Sequence, residues 1–267
     1  MNCFCCTERL GDCILGTIVF RKLLKETNEE WAWASAVPYL SVAREFTNNL
    51  VGVSTDQGAA RKTLDAQFDK VLYTTPWWYW SEWGEGRILL LDLIAKKANI
   101  KLEPEDRQVV LTPNEEDIKV VDQLLNGLND YIVVFGSPHY SGWGGHDWPF
   151  PERISLIQTL EAEGHKVVVI GGNDTRKIGG INLGGKTTYH QTVEIIKRAK
   201  LFVGQTTAGA WLAAAAHDTP KIIMVDKSKK PGREGHEDCL NDDNIIDLSM
   251  TDSFIKVLEV VKEKGWL

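Results

Sequence analysis

Three stretches in the second half of the chain carry residue types that can hold a phosphorylated ligand. Val203-Gly204-Gln205-Thr206-Thr207-Ala208-Gly209 puts small and hydroxyl residues at a strand-to-helix turn. The first N–H groups of a helix lack intrahelical partners and the helix dipole favours an anion there, so Thr206, Thr207, Ala208 and Gly209 can hold a diphosphate. Either threonine can equally cap the helix with no ligand. Gly171-Gly172-Asn173-Asp174 follows an apolar run. Glycine lets a ligand approach the backbone there, and Asn173 or Asp174 can accept from a ribose hydroxyl, although the same residues also make a simple polar turn. The glycine-rich loop from Gly136 to Pro149 holds His139, Ser141, His146, Asp147 and Trp148. That is more polar chemistry than a turn needs, which marks a ligand loop, although His146 by itself fits a solvated or capping histidine as well.

In the first half, Trp77, Trp78, Trp80 and Trp83 cluster in a chain with ten tryptophans. Their flat faces can stack on sugars or contact a lipid headgroup. Packing between domains is the alternative, but adjacent positions cannot all share one face. Asp12 closes the tight turn Glu8-Arg9-Leu10-Gly11-Asp12 before an apolar helix, where a carboxylate is a natural cap. Lys227, Lys229, Lys230 and Arg233 read as a solvated charge run that is also placed to fold over phosphates. Cys3, Cys5 and Cys6 share one apolar stretch with no Cys-x-x-Cys pair or nearby histidines to complete a zinc set, so reduced core thiols are expected. The sequence has no Asp-x-Asp carboxylate clamp for a metal-bound diphosphate.

Elements that could position these groups follow from periodicity. Asn2 to Cys6, Trp31 to Ala36, Leu50 to Ser54 and Lys70 to Thr74 read as strands. Cys13 to Glu26, Pro38 to Phe46, Leu89 to Lys97 and Asn114 to Leu128 read as helices. From Tyr131 the pattern is that of a parallel sheet: strands Tyr131 to Phe135, Lys166 to Ile170, Leu201 to Val203 and Lys221 to Val225 alternate with helices Pro151 to Glu163, Thr188 to Lys200, Ala210 to His217 and Asp252 to Lys264. A boundary falls near Asn126 to Asp130, giving domains 1–128 and 129–267. The net charge of -7 argues against a nucleic-acid partner. The longest early apolar run, Cys13 to Phe20, is too short to span a bilayer and no basic leader precedes it, so a cytoplasmic protein is expected.

Several stretches resemble, in order, glycosyltransferase family 9, the ADP-heptose lipopolysaccharide heptosyltransferases. Arg9-Leu10-Gly11-Asp12 looks like the family's N-terminal Gly-Asp turn. His146-Asp147-Trp148-Pro149 with Glu152 is similar to its Lys-x-Trp-Pro-x-Glu element. Asn182 to Thr188, followed by Leu201 to Gly204, resembles its Leu-x-Gly-x-Thr stretch and next strand. Gln205 to Ala215 stands in place of its Asp-Thr-Gly-x-x-His-x-Ala motif. The chain departs from these motifs at four positions: Thr206 replaces the aspartate, Ala208 the glycine, Trp211 the histidine and His146 the lysine.

The resemblance implies a GT-B α/β fold, two Rossmann-like domains facing across a cleft, with the N-terminal one reduced in size. It implies an inverting, metal-independent transfer from a nucleotide diphosphate sugar, ADP-linked in the family, with no cofactor. Asp12 would be the general base. Ser141, His146, Gly171, Gly172, Asn173, Asp174, Thr206, Thr207, Ala208 and Gly209 would bind the donor, and Trp77, Trp78 and Trp80 the acceptor. A glycan or glycolipid acceptor would bring the protein to the cytoplasmic face of the inner membrane. Two other readings fit the departures: a non-catalytic sugar-nucleotide-binding protein, or a transferase acting on a modified DNA base or a protein.

Overall fold

The computed structural model describes the chain except residues 8, 80–88, 138–147, 174, 176, 177, 226–239 and 241, and the side chain of Trp77. Ser141, His146, Asp174, Trp80 and the lysine-rich run therefore lie outside the described residues. The chain divides into two compact units, one of Met1–Leu111 and one built on Thr112–Lys229 and Asp242–Leu267.

The first unit is a parallel sheet in the order β3-β2-β1-β4, from β1 (Asn2–Cys5), β2 (Trp31–Ser35), β3 (Leu50–Gly52) and β4 (Lys70–Tyr73). Alternation of side chains across a strand sorts its residues cleanly. Cys3, Cys5, Ala32 and Ala34 face Leu64 of helix α2 (Gln57–Asp65). On the other face, the Phe4 and Trp33 rings stack 5.4 Å apart, and Phe20 of helix α1 (Leu10–Glu26) closes on both. Gly16 lets α1 lie that close, since a Cβ there would stand 3.0 Å from the Trp33 ring and 3.1 Å from Cys6 Sγ. Helix α3 (Leu90–Ala98) packs along α1. The segment expected as a helix over Pro38 to Phe46 is a 3-10 helix, Val37–Ala43. Helix α2 lies in a stretch that shows no apolar stripe, because it buries only Ala60 and Leu64; the Asp56 carboxylate caps it by accepting from Ala59 N–H.

The second unit opens with helix α4 (Glu115–Leu125), capped reciprocally by Asn114 and Asp117. The sequence assigns this helix to the N-terminal side, yet it packs on helix α6 (Tyr189–Lys197). Arg198 Nη1 meets Asp122 at 2.6 Å, and Gln191 and Thr188 donate to Asp117. The six-stranded sheet is parallel throughout, in the order β10-β9-β8-β5-β6-β7. Its strands are β5 (Tyr131–Phe135), β6 (Lys166–Ile170), β7 (Ile181–Asn182), β8 (Leu201–Gln205), β9 (Lys221–Val225) and β10 (Ile245–Ser249). Helices α5 (Phe150–Ala162), α7 (Ala208–Ala214) and α8 (Phe254–Lys264) complete the connections. Both sheets are thus doubly wound α/β layers of Rossmann type.

At the amino end of β9 the side chain of Lys221 is fully buried, with Nζ donating to Asp242 Oδ2 at 3.0 Å and to Thr219 O at 2.7 Å. Burial holds its ammonium below the ordinary lysine range despite the adjoining carboxylate. Removing one partner of such a pair leaves an uncompensated buried charge. Asp242→Asn is therefore expected to cost about 3 kcal/mol, seen as a lower urea midpoint at unchanged slope.

Candidate functional site

In a doubly wound sheet, ligands settle beyond the carboxyl ends of the two neighbouring strands from which the connections diverge. In the second unit those strands are β5 and β8. β5 ends at Phe135 and runs into Gly136 and Ser137. Ser137 is buried, and its Oγ accepts from Gly172 N–H at 2.7 Å and lies 3.0 Å from Thr175 Oγ1. Thr175 Oγ1 in turn donates to Gly172 O at 2.7 Å. Gly171, at φ +148°, has room for no side chain: a Cβ would fall on Ser137 Oγ and Thr175 Oγ1. Gly185 N–H closes the floor by donating to Gly171 O at 2.9 Å. The floor is thus bare backbone braced by hydroxyls, at the carboxyl ends of β5 and β6. Gly171 and Gly172 form it, with Asn173 exposed at its edge. Ser137 and Thr175 were not singled out from sequence; the signal available was a serine directly after a buried strand and a glycine.

β8 runs two residues beyond the expected Val203, to Gln205, and helix α7 starts at Ala208 rather than Ala210. Thr207 is its cap, with Oγ1 accepting from Gly209 N–H at 3.2 Å. The Thr206 hydroxyl donates to Met224 O at 3.4 Å. Gly209 lies against the Phe135 ring so tightly that a Cβ would collide with it. Trp211, in the family motif's histidine position, is buried within α7.

The corresponding divergence in the first unit lies between β1 and β4. Thr7 follows β1, and its N–H donates to Thr75 Oγ1 at 2.9 Å, while Thr74 N–H and Oγ1 both donate to Cys5 O. This buried threonine lock fixes the turn that leads into α1. The helix begins at Leu10, with Arg9 at the cap position in extended conformation, so Asp12 stands inside the first turn and does not cap the helix. It is 6% exposed.

Nearby, the Cys6 and Cys3 thiols lie above the ordinary thiol range. Cys6 is pushed up by the Cys13 thiol, by burial and by Asp12; its Sγ donates to Asp12 O at 3.4 Å. Burial raises Cys3 to about 12. Cys3, Cys5, Cys6 and Cys13 are free and buried, as core thiols. Cys239 is outside the described residues.

Trp78 sits in the 3-10 helix Pro76–Tyr79 and packs against Tyr73, ring centroids 5.7 Å apart, with the Arg61 guanidinium 5.8 Å above it. Part of its face is therefore occupied by its own unit. Among the described residues no group of three or more His, Cys, Asp or Glu could hold a metal ion, and no helix is long and apolar enough to cross a membrane.

Both units are parallel-stranded α/β layers of Rossmann type, each with polar groups gathered at the carboxyl ends of the strands where the connections diverge. No family model and no curated protein matches the sequence. Solved structures do match its fold along the whole chain. A glycosyl transferase family 9 protein from Veillonella parvula is 13% identical, with a TM-score of 0.70 over 100% of this chain and 91% of that one. ADP-heptose lipopolysaccharide heptosyltransferase II of E. coli is 14% identical, with a TM-score of 0.68 over 98% of each chain. The E. coli heptosyltransferase WaaC, solved with ADP, is 14% identical, with a TM-score of 0.60 over 99% and 98%. The chain has the fold of these heptosyltransferases, and that fold agrees with the two Rossmann-like units expected from the sequence.

The floor at Gly171 gives a direct check. Gly171→Ala forces a Cβ into a left-handed backbone and onto two hydroxyls. It is expected to cost about 2 kcal/mol, read by denaturant unfolding, and to speed hydrogen exchange at Gly172, whose N–H bonds Ser137.

Proposed function

We propose that the protein is a glycosyltransferase that moves a heptose or related sugar from a nucleotide diphosphate sugar to a hydroxyl of a glycan or glycolipid. The observation that carries this reading is the whole-chain fold likeness to heptosyltransferases. The second unit would hold the donor. Gly171, Gly172 and Asn173, with Asp174, would take the nucleoside end, and Thr206, Thr207, Ala208 and Gly209, with Ser141 and His146, the diphosphate. WaaC was solved with ADP, which favours an ADP-linked donor. The first unit would hold the acceptor, with Trp77, Trp78 and Trp80 as its aromatic contacts. Such an acceptor places the protein in the cytoplasm, at the inner face of the membrane.

In this reading the acceptor oxygen attacks the anomeric carbon from the face opposite the diphosphate. The bond from that carbon to the diphosphate oxygen breaks, and its electron pair leaves with the diphosphate. The configuration inverts, and Asp12 carries away the hydroxyl proton. Backbone N–H groups beyond β8 meet the developing charge on the leaving group, which needs no metal in this scheme. Asp12 suits the role because its carboxylate sits in the first helical turn, at the carboxyl-end divergence of the first unit's sheet.

A second reading, a non-catalytic sugar-nucleotide-binding protein, draws on the occupied hydroxyls of Thr206 and Thr207 and on the buried Trp211. Two measurements separate them. A thermal-shift series against ADP, UDP, GDP, CMP, TDP and their sugar conjugates should show one selective rise, worth about 2.7 kcal/mol at a hundredfold excess over Kd; a flat series counts against both readings. Asp12→Asn should lower turnover about 10²- to 10⁴-fold and leave nucleotide affinity unchanged. A wild-type protein that binds the nucleotide and never turns over favours the binding module.

A further inference from the structure

Gln205 is the last residue of β8 and is 1% exposed. A methionine or leucine would fill the same space without bringing a carboxamide out of water, so the buried amide needs a use. Its orientation is fixed by chemistry: only Oε1 can accept from Trp148 N–H, which it does at 2.9 Å, and this turns Nε2 toward Ser137 O at 3.4 Å. Ser137 O also accepts from Arg153 Nη1 at 3.1 Å; Arg153 is buried in α5 and reaches Gly136 O at 3.5 Å. One carboxamide thus joins the main chain leaving β5 to the main chain entering α5, and fixes both to the end of β8.

The Trp148 side of this junction is anchored further. The indole Nε1 donates to Asp252 O at 3.2 Å, and Glu152 Oε2 accepts from Phe254 N–H at 2.7 Å. The Ser137 side reaches the floor of the site, since the same residue presents Oγ to Gly172 N–H. We infer that Gln205 is a positioning residue for the nucleotide end of the site: by holding the Ser137 peptide it aims Ser137 Oγ at Gly172 and so sets the Gly171–Asn173 backbone against which a nucleotide would rest. The inference rests on the second unit being the donor-holding one.

Two variants test it. Gln205→Met removes both contacts. Gln205→Glu keeps an acceptor for Trp148 N–H but, when ionised, sets an oxygen against Ser137 O. Burial raises a glutamate's pKa, and the neutral acid regains a donor, so the Glu variant should behave as wild type at low pH and not at high pH. In full-length protein without ligand, hydrogen exchange should speed up at both Trp148 and Gly172 in Gln205→Met. In Gln205→Glu it should speed up at Gly172 alone, returning to the wild-type rate as the pH falls from about 8 to about 5. Calorimetry with ADP should show about tenfold weaker binding in both variants at pH 8, equal to about 1.4 kcal/mol, with the Glu variant recovering at pH 5.

A packing role alone predicts unchanged Gly172 exchange in both variants, and that result overturns the inference. Wild-type protein that binds neither ADP nor the other nucleotides overturns the donor reading, a failure distinguishable because the exchange data need no ligand. Should Gln205→Met not fold, the near-isosteric Glu variant carries both readouts.

Discussion

Both sheets of this protein obey one constraint. Parallel strands must be covered on both faces, and because crossovers are right-handed the chain covers one face while it winds outward in one direction and the other face after it reverses, so at one place in each sheet the connections part. Between β5 and β8, and between β1 and β4, the chain leaves neighbouring strands in opposite directions. The main chain there lacks a ladder partner and a covering helix, and it must be satisfied by side chains or by ligand. The second unit does this with Ser137, Gln205 and Arg153. The first does it with Thr7, Thr74 and Thr75. Polar residues that look isolated in sequence are collected at these two points.

How much of this could be read beforehand depended on what each residue had to bury. β5, β6 and β9 are nearly unbroken Val and Ile runs, sealed on both faces, and their limits were legible to the residue. β10 was not, because its central Asp247 interrupts the apolar run and is nevertheless buried. β7 has only two residues in the ladder, too few for any pattern. The start of α1 was misplaced because Gly11-Asp12 looks like a turn and its cap; the threonine lock at Thr7 lets the helix begin at Leu10.

Site chemistry was legible in part for the same reason. The glycines at 171 and 172 announced a bare backbone, and the structure adds a positive φ and two hydroxyls with no room for a side chain. Ser137 and Gln205 went unnoticed because their importance lies in what they do to main chain far away in sequence: Ser137 acts on Gly172, and Gln205 on Trp148. No local pattern encodes such contacts. Trp31 and Trp33 lie in β2, which is buried at every position, whereas in the Trp77 to Trp83 run adjacent positions cannot share one face and the pattern gives no single answer.

The four described thiols all lie in the first unit, on or just after β1 and at the head of α1, and all are buried. A thiol reagent can reach them only when that unit opens. Their modification rate is consequently a clock for one half of the molecule, supplied by native residues, through which the loosening of the first unit can be followed without an introduced probe.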